Sequence, residues 1–112
     1  MVAPMSWAMD ELEARAQRQL DGLRDFEEKL RAISVRATSS DGLVTAEVDA
    51  KGALVDLRLE HGANELGAGR LADQIVTTAA LAAQKAYAKV AAVTEEFNES
   101  FGDLLAARPA GD

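Results

Sequence analysis

From Leu71 to Leu104 the chain places an apolar residue at every third or fourth position: Leu71, Ile75, Ala79, Ala82, Ala86, Val90, Val93, Phe97, Phe101 and Leu104. Steps of four, four and three repeat, a period close to the natural turn of an α-helix, so a nearly straight helix is predicted. Arg108-Pro109-Ala110-Gly111 ends it. Over residues 70–107 such a helix is roughly 57 Å long, whereas a compact domain of this size has a radius of gyration of about 13 Å. It cannot sit inside its own globule. The stripe on its far half, Val90, Val93, Phe97, Phe101 and Leu104, must be covered either by another helix of the chain or by a second chain. That stripe is the candidate dimer interface, and a homodimer is expected.

A second helical run covers residues 9–33. Met9, Leu12, Ala16, Leu20, Leu23, Phe26, Leu30 and Ile33 fall on one face. Two heptad rows stand out in it, Met9-Ala16-Leu23-Leu30 and Leu12-Gln19-Phe26-Ile33, so the helix either lies on a sheet or pairs with another helix. Asp10 with Glu13 can start it as a capping-box-like pair. Gly22 weakens it locally by roughly 1 kcal/mol. Residues 1–8 are read as a flexible N-terminus, with Trp7 either stapling the helix start or entering a dimer contact.

Between the helices the period changes to two. Val44, Ala46 and Val48 alternate with Thr45, Glu47 and Asp49, and Val55, Leu57 and Leu59 alternate with Asp56 and Arg58. Alternation of this kind predicts half-buried antiparallel strands. Ser39-Ser40-Asp41-Gly42 and Ala50-Lys51-Gly52 are turns, and Asp-Gly is a strong hairpin signal. Residues 35–59 therefore form a three-stranded meander that begins with a strand at Val35–Ser39. One face carries Val44, Ala46, Val48, Val55, Leu57 and Leu59. His61 to Gly69 is a loop, and residues 108–112 are a tail. The fold class is α+β, one domain in the order α-β-β-β-α.

Composition removes several kinds of chemistry. There is no cysteine, so disulfides, thiol catalysis and cysteine-bound zinc are excluded. His61 is the only histidine and has no nucleophile or ligand partner nearby in sequence. Alternation sends Glu47 and Asp49 to the solvent face, away from the cleft that acid–base catalysis needs. Gly62, Gly67 and Gly69 match no phosphate-cradling spacing. No catalytic residue, metal ligand or cofactor is expected, and the chain is not read as an enzyme. The N-terminus shows no secretory signal, and no run approaches the ~20 apolar residues of a membrane span. The expected location is cytoplasmic, with no membrane partner.

Gly42-Leu43-Val44-Thr45-Ala46-Glu47-Val48 and Gly52-Ala53-Leu54-Val55-Asp56-Leu57-Arg58-Leu59 resemble the strand pattern of the YbaB/EbfC family of bacterial nucleoid-associated proteins. Leu71-Ala72-Asp73-Gln74-Ile75-Val76, with Ala79, Ala82 and Lys85-Ala86, is similar to the start of that family's last helix. The likeness covers about Asp41 to Ala86. It implies a homodimer that binds double-stranded DNA with little sequence preference and has no catalytic activity.

Two sets of cations could meet phosphates: Arg15, Arg18 and Arg31 on the first helix, and Lys85 and Lys89, one turn apart, on the last. They are the candidate DNA-binding residues. Asp25 before Lys29 and Glu27 before Arg31 have the four-residue spacing of surface ion pairs. Glu95, Glu96, Glu99 and Asp103 would repel a duplex, so contact should avoid that end of the last helix. The formal net charge of −7 leaves a second reading open. In it the same scaffold is an acidic protein–protein interaction module, for example a secretion-associated one, that binds another protein and not DNA.

Overall fold

A computed structural model describes residues 3–106, with the side chains of residues 3–6 and of Leu104 outside the description. The order is α1 (Ala3–Arg31), β1 (Ser34–Thr38), β2 (Val44–Asp49), β3 (Leu54–Leu59), a single 3-10 turn (Ala63–Leu66) and α2 (Ala68–Ala106). The expected α-β-β-β-α architecture is present. The expected tail at 108–112 lies outside the described residues. α1 begins at Ala3, not at Met9, so Trp7 lies inside the helix and is exposed, and Asp10 and Glu13 are not its start. Ile33 has left the helix and is buried beside β1.

The chain divides into two compact units, 1–29 with 93–112, and 30–92. The second unit holds the sheet, in the order β1-β2-β3 with both pairings antiparallel. Val44, Ala46 and Val48 of the central strand are fully buried, with Ala37 of β1 also in the core. From α2 the same unit contributes Thr78, Ala82 and Ala86, a row at four-residue spacing that is likewise buried. Small side chains in such a row let a helix lie close to what it covers.

Two contacts fix how this part of α2 runs along the sheet. Gln74 Nε2 donates to Asp41 Oδ2 at 2.6 Å in the β1–β2 turn. Tyr87 reaches the β2–β3 turn, its hydroxyl 3.4 Å from the Lys51 carbonyl oxygen. The helical rise from Gln74 to Tyr87 is about 20 Å, close to the ~20 Å length of a six-residue strand. The helix therefore spans the sheet from turn to turn, in the direction of β2.

Both turns are built by an aspartate. Asp41 Oδ1 accepts from Ser39 Oγ at 2.7 Å and from the Leu43 N–H at 3.0 Å, while Gly42 takes φ +77. Asp49 Oδ1 accepts from the N–H groups of Lys51 and Ala53, and Gly52 takes φ +79. These are side-chain mimics of backbone turns, closed by glycine in the left-handed region.

The third strand departs from simple alternation. Val44 pairs with Leu59 and Ala46 with Leu57, but Val48 pairs with Leu54 across a register shift between Glu47 and Val48. Leu54, and not Val55, is therefore the partner of Val48, and Val55 is the extra residue of a β-bulge. The expected apolar face is corrected at that one position. Leu54, Val55 and Leu59 stay exposed and Leu57 is half-buried, so β3 carries apolar surface that the described residues leave open.

The first unit is a helix pair. Phe26 of α1 stacks on Phe97 of α2 with ring centroids 4.4 Å apart, and Phe97 stacks on Phe101 at 5.2 Å. Lys29 Nζ lies 3.0 Å from Glu96 Oε1 and 3.3 Å from Asp25 Oδ2. Of the two covers that the sequence left open for this stripe, α1 supplies one. Val90, Val93, Phe97 and Phe101 are all half-buried. The side chain of Leu104 lies outside the described residues.

Candidate nucleic-acid interface

Among the described residues several cations are already held by a carboxylate. Lys29 is tied to Asp25 and Glu96, and hydrogen bonds from it to Glu96 and then to Asp25 raise its pKa. Arg36 Nε donates to Glu47 at 3.0 Å. Glu47 also accepts from the Ser34 hydroxyl, and these two donors, Ser34 first, hold its carboxyl below the ordinary range. Arg58 stands 3.7 Å from Asp56. The outer face of the sheet is thus a self-neutralised polar layer, closed by the Thr38–Thr45 hydroxyl pair at 3.0 Å.

Lys85 and Lys89 differ. Both are exposed on α2, and among the described residues neither has a carboxylate partner. One helical turn separates them, about 6 Å of rise. Arg31 belongs to the same compact unit and lines a shallow cleft with Leu30, Asp49, Ala50, Lys51 and Val90. Val90 follows Lys89 in α2, but the cleft is lined by Val90 and not by Lys89.

That region adds Lys51, an exposed cation at the β2–β3 turn that sequence reasoning did not select. No sequence pattern links residue 51 to residue 31, because their proximity is tertiary. The neighbouring Asp49 carboxylate is occupied by backbone donors of its own turn. Arg15 and Arg18 lie in the other unit. Arg18 is exposed at the rim of a cleft of about 190 Å³ that Gly22, Phe26, Phe97 and Phe101 also line, and Arg15 is half-buried.

Other chemistry is sparse. His61 is exposed in the loop after β3, as expected. Among the described residues no group of three or more histidine, cysteine or carboxylate side chains could hold a metal ion. No described helix is long and apolar enough to cross a membrane.

The chain is thus a small helix–meander–long-helix domain with exposed lysines on its last helix. The family model of the YbaB/EbfC DNA-binding family matches residues 5–101, and the chain belongs to that family. Among solved structures it is similar to an uncharacterized protein of Helicobacter pylori, HP0035, at 18% identity and a TM-score of 0.50, covering 86% of this chain and 95% of that one. That likeness shows the fold. No curated protein matches.

Proposed function

We propose that this protein is a nucleoid-associated homodimer that binds double-stranded DNA through its phosphates, with little sequence preference and no catalytic step. Family membership supports the DNA partner. The observation that carries the reading further is the pair Lys85 and Lys89, exposed and un-neutralised one turn apart, with Arg31 and Lys51 beside Val90. Arg15 and Arg18 form a second set. Phosphate contacts of this kind position a protein without reading bases.

Dimerisation is the second part of the proposal. Edge strand β3 leaves Leu54, Val55 and Leu59 exposed, and an edge strand with apolar side chains calls for a cover. The open sides of Val90, Val93, Phe97 and Phe101 add to the surface that a second copy can bury. A two-fold axis doubles acids and cations alike, so two chains of net charge −7 must gather their cations on one face to meet DNA.

The test is a mobility-shift titration of a long duplex across salt concentrations. Affinity should fall with salt, with a log–log slope of roughly −0.9 per phosphate contact. Lys85→Glu with Lys89→Glu should abolish binding and leave the circular dichroism spectrum unchanged. If the wild type gives no shift in low salt, or the double variant binds equally well, the DNA reading fails and a protein partner takes its place. A monomer mass by light scattering at micromolar protein would end the dimer reading.

A further inference from the structure

The open edge of β3 presents its backbone groups in a fixed order. Antiparallel strands turn the N–H and C=O of alternate residues toward one neighbour. The Glu60 N–H donates to the Leu43 carbonyl oxygen at 2.8 Å, so Glu60, Arg58 and Asp56 turn their backbone groups toward β2. Leu57 and Leu59 turn theirs outward, where no strand pairs with them among the described residues. Along β3 Leu57 is half-buried and the other residues are exposed. A strand added antiparallel at this edge must set its own outward residues against Leu57 and Leu59.

The outer face of the sheet is neutral as a whole but not row by row. One row runs Arg36, Glu47, Asp56 from β1 to β3. It holds one cation and two acids, and Asp56 ends it at the open edge. Glu47 is already held by Arg36 and the Ser34 hydroxyl. Asp56 therefore stands opposite a like charge, which is unfavourable. Its cation within the chain is Arg58, two residues along the same strand at 3.7 Å. The next row runs Thr38, Thr45, Arg58 and ends at the same edge on a cation that no acid in the row meets.

A second copy completes both rows. With the strands antiparallel and Leu57 opposite Leu57, Asp56 faces Arg58 of the other copy and Arg58 faces its Asp56. Outward residues then meet outward residues, as hydrogen-bonded pairing needs. On the other face of the sheet Leu59 comes opposite Val55. A slide of two residues in either direction sets Asp56 on Asp56 or Arg58 on Arg58. A slide of one residue sets outward backbone groups against inward ones. The charges that select this register lie on one face of the strand, since both Asp56 and Arg58 pair with outer-face residues of β2.

We infer that β3 pairs antiparallel with β3 of a second copy, centred on Leu57, to join the two three-stranded sheets into one. This rests on the dimer reading above and gives it a register. Directly opposite residues point to the same face of a sheet. Both core faces, and the parts of α2 that cover them, therefore lie on one side. The two β2 strands stand three strand spacings apart, about 14 Å, which leaves room for two helices at about 8–10 Å. Lys85 and Lys89 of both copies then share one side of the dimer, and the surface proposed to meet DNA is incomplete in a single chain.

The test uses cysteines in the full chain, which has none of its own. Asp56 and Arg58 of the other copy form a non-hydrogen-bonded pair with Cα atoms about 4.5 Å apart in this register, within disulfide reach. Asp56→Cys mixed with Arg58→Cys should crosslink under mild oxidation at least tenfold faster than either variant alone. Asp56→Arg and Arg58→Asp should each raise the dimer dissociation constant at least tenfold in analytical ultracentrifugation. An equimolar mixture of these two should associate like the wild type, with circular dichroism unchanged throughout. The inference is overturned if either cysteine variant alone crosslinks as fast as the mixture, or if the mixed charge variants stay dissociated. A wild type that is dimeric by light scattering while the cysteine mixture fails to crosslink refutes this register alone. A monomeric wild type refutes the dimer reading with it.

Discussion

The Tyr87 ring fills the space that a side chain at Gly52 would need: a Cβ built there would fall on the Tyr87 hydroxyl and ring edge. The same hydroxyl points to the Lys51 carbonyl oxygen, so the β2–β3 turn and α2 are fitted to each other at a glycine that also needs φ +79. Gly52→Ala should cost about 1–2 kcal/mol from the left-handed backbone alone, plus whatever displacing the ring adds. Tyr87→Ala should remove the second part. A double-mutant cycle by urea denaturation separates the two, and zero coupling would show that the ring does not confine position 52.

Phe26 and Phe97 join α1 to the far half of α2. Both rings are half-buried, so Phe97→Ala should cost about 2 kcal/mol, below the range for fully buried phenylalanine. The specific coupling between Phe26 and Phe97 should be about 0.5–1.5 kcal/mol in a cycle with both alanine variants. Hydrogen exchange should show the loss in residues 93–106 before it reaches the sheet.

Gly22 sits inside α1, and a Cβ there meets nothing within 4 Å. Gly22→Ala should therefore stabilise the protein by about 0.5–1 kcal/mol, because alanine loses less backbone freedom in a helix. Thermal unfolding should shift upward by a few degrees. A downward shift would mean that the open space beside Gly22 is needed.

Asp41 is held below the ordinary carboxylate range, by the Ser39 hydroxyl first, then by the Leu43 N–H and by Gln74. A carboxyl whose folded pKa is lowered contributes stability that is full above its unfolded value of about 4 and is lost as pH falls through the folded value. Asp41→Asn should thus be less stable than the wild type at neutral pH, with the gap closing below pH ~4. Unfolding midpoints of the two proteins from neutral to acidic pH check this, and a gap that persists unchanged in acid would refute it.

Most of the fold was legible because periodicity reports which side of an element is buried. Val44, Ala46 and Val48 alternate in sequence and are buried in the structure. The same signal failed at Val55. Leu54 and Val55 are both apolar, and the bulge that chooses between them follows the Asp49 turn, whose hydrogen bonds no alternation records. The start of α1 was misplaced because Asp10 and Glu13 carry a capping pattern that the helix runs through. Lys85 and Lys89 were visible from spacing within one helix. Lys51 was not, because its nearness to Arg31 is made by the packing of separate elements.

The buried row Thr78, Ala82 and Ala86 also limits how this sequence can drift. Each of these positions has room for little beyond its own side chain, so a longer residue would act as a wedge under α2. Random replacement at 82 and 86, selected for folded protein, should return alanine, glycine and serine and little else. The exposed positions of the same helix should accept nearly anything. Two short side chains thereby set the evolutionary freedom of a 39-residue helix. Its surface, including the lysines proposed to meet DNA, can be rewritten for a new partner while the scaffold stays in place.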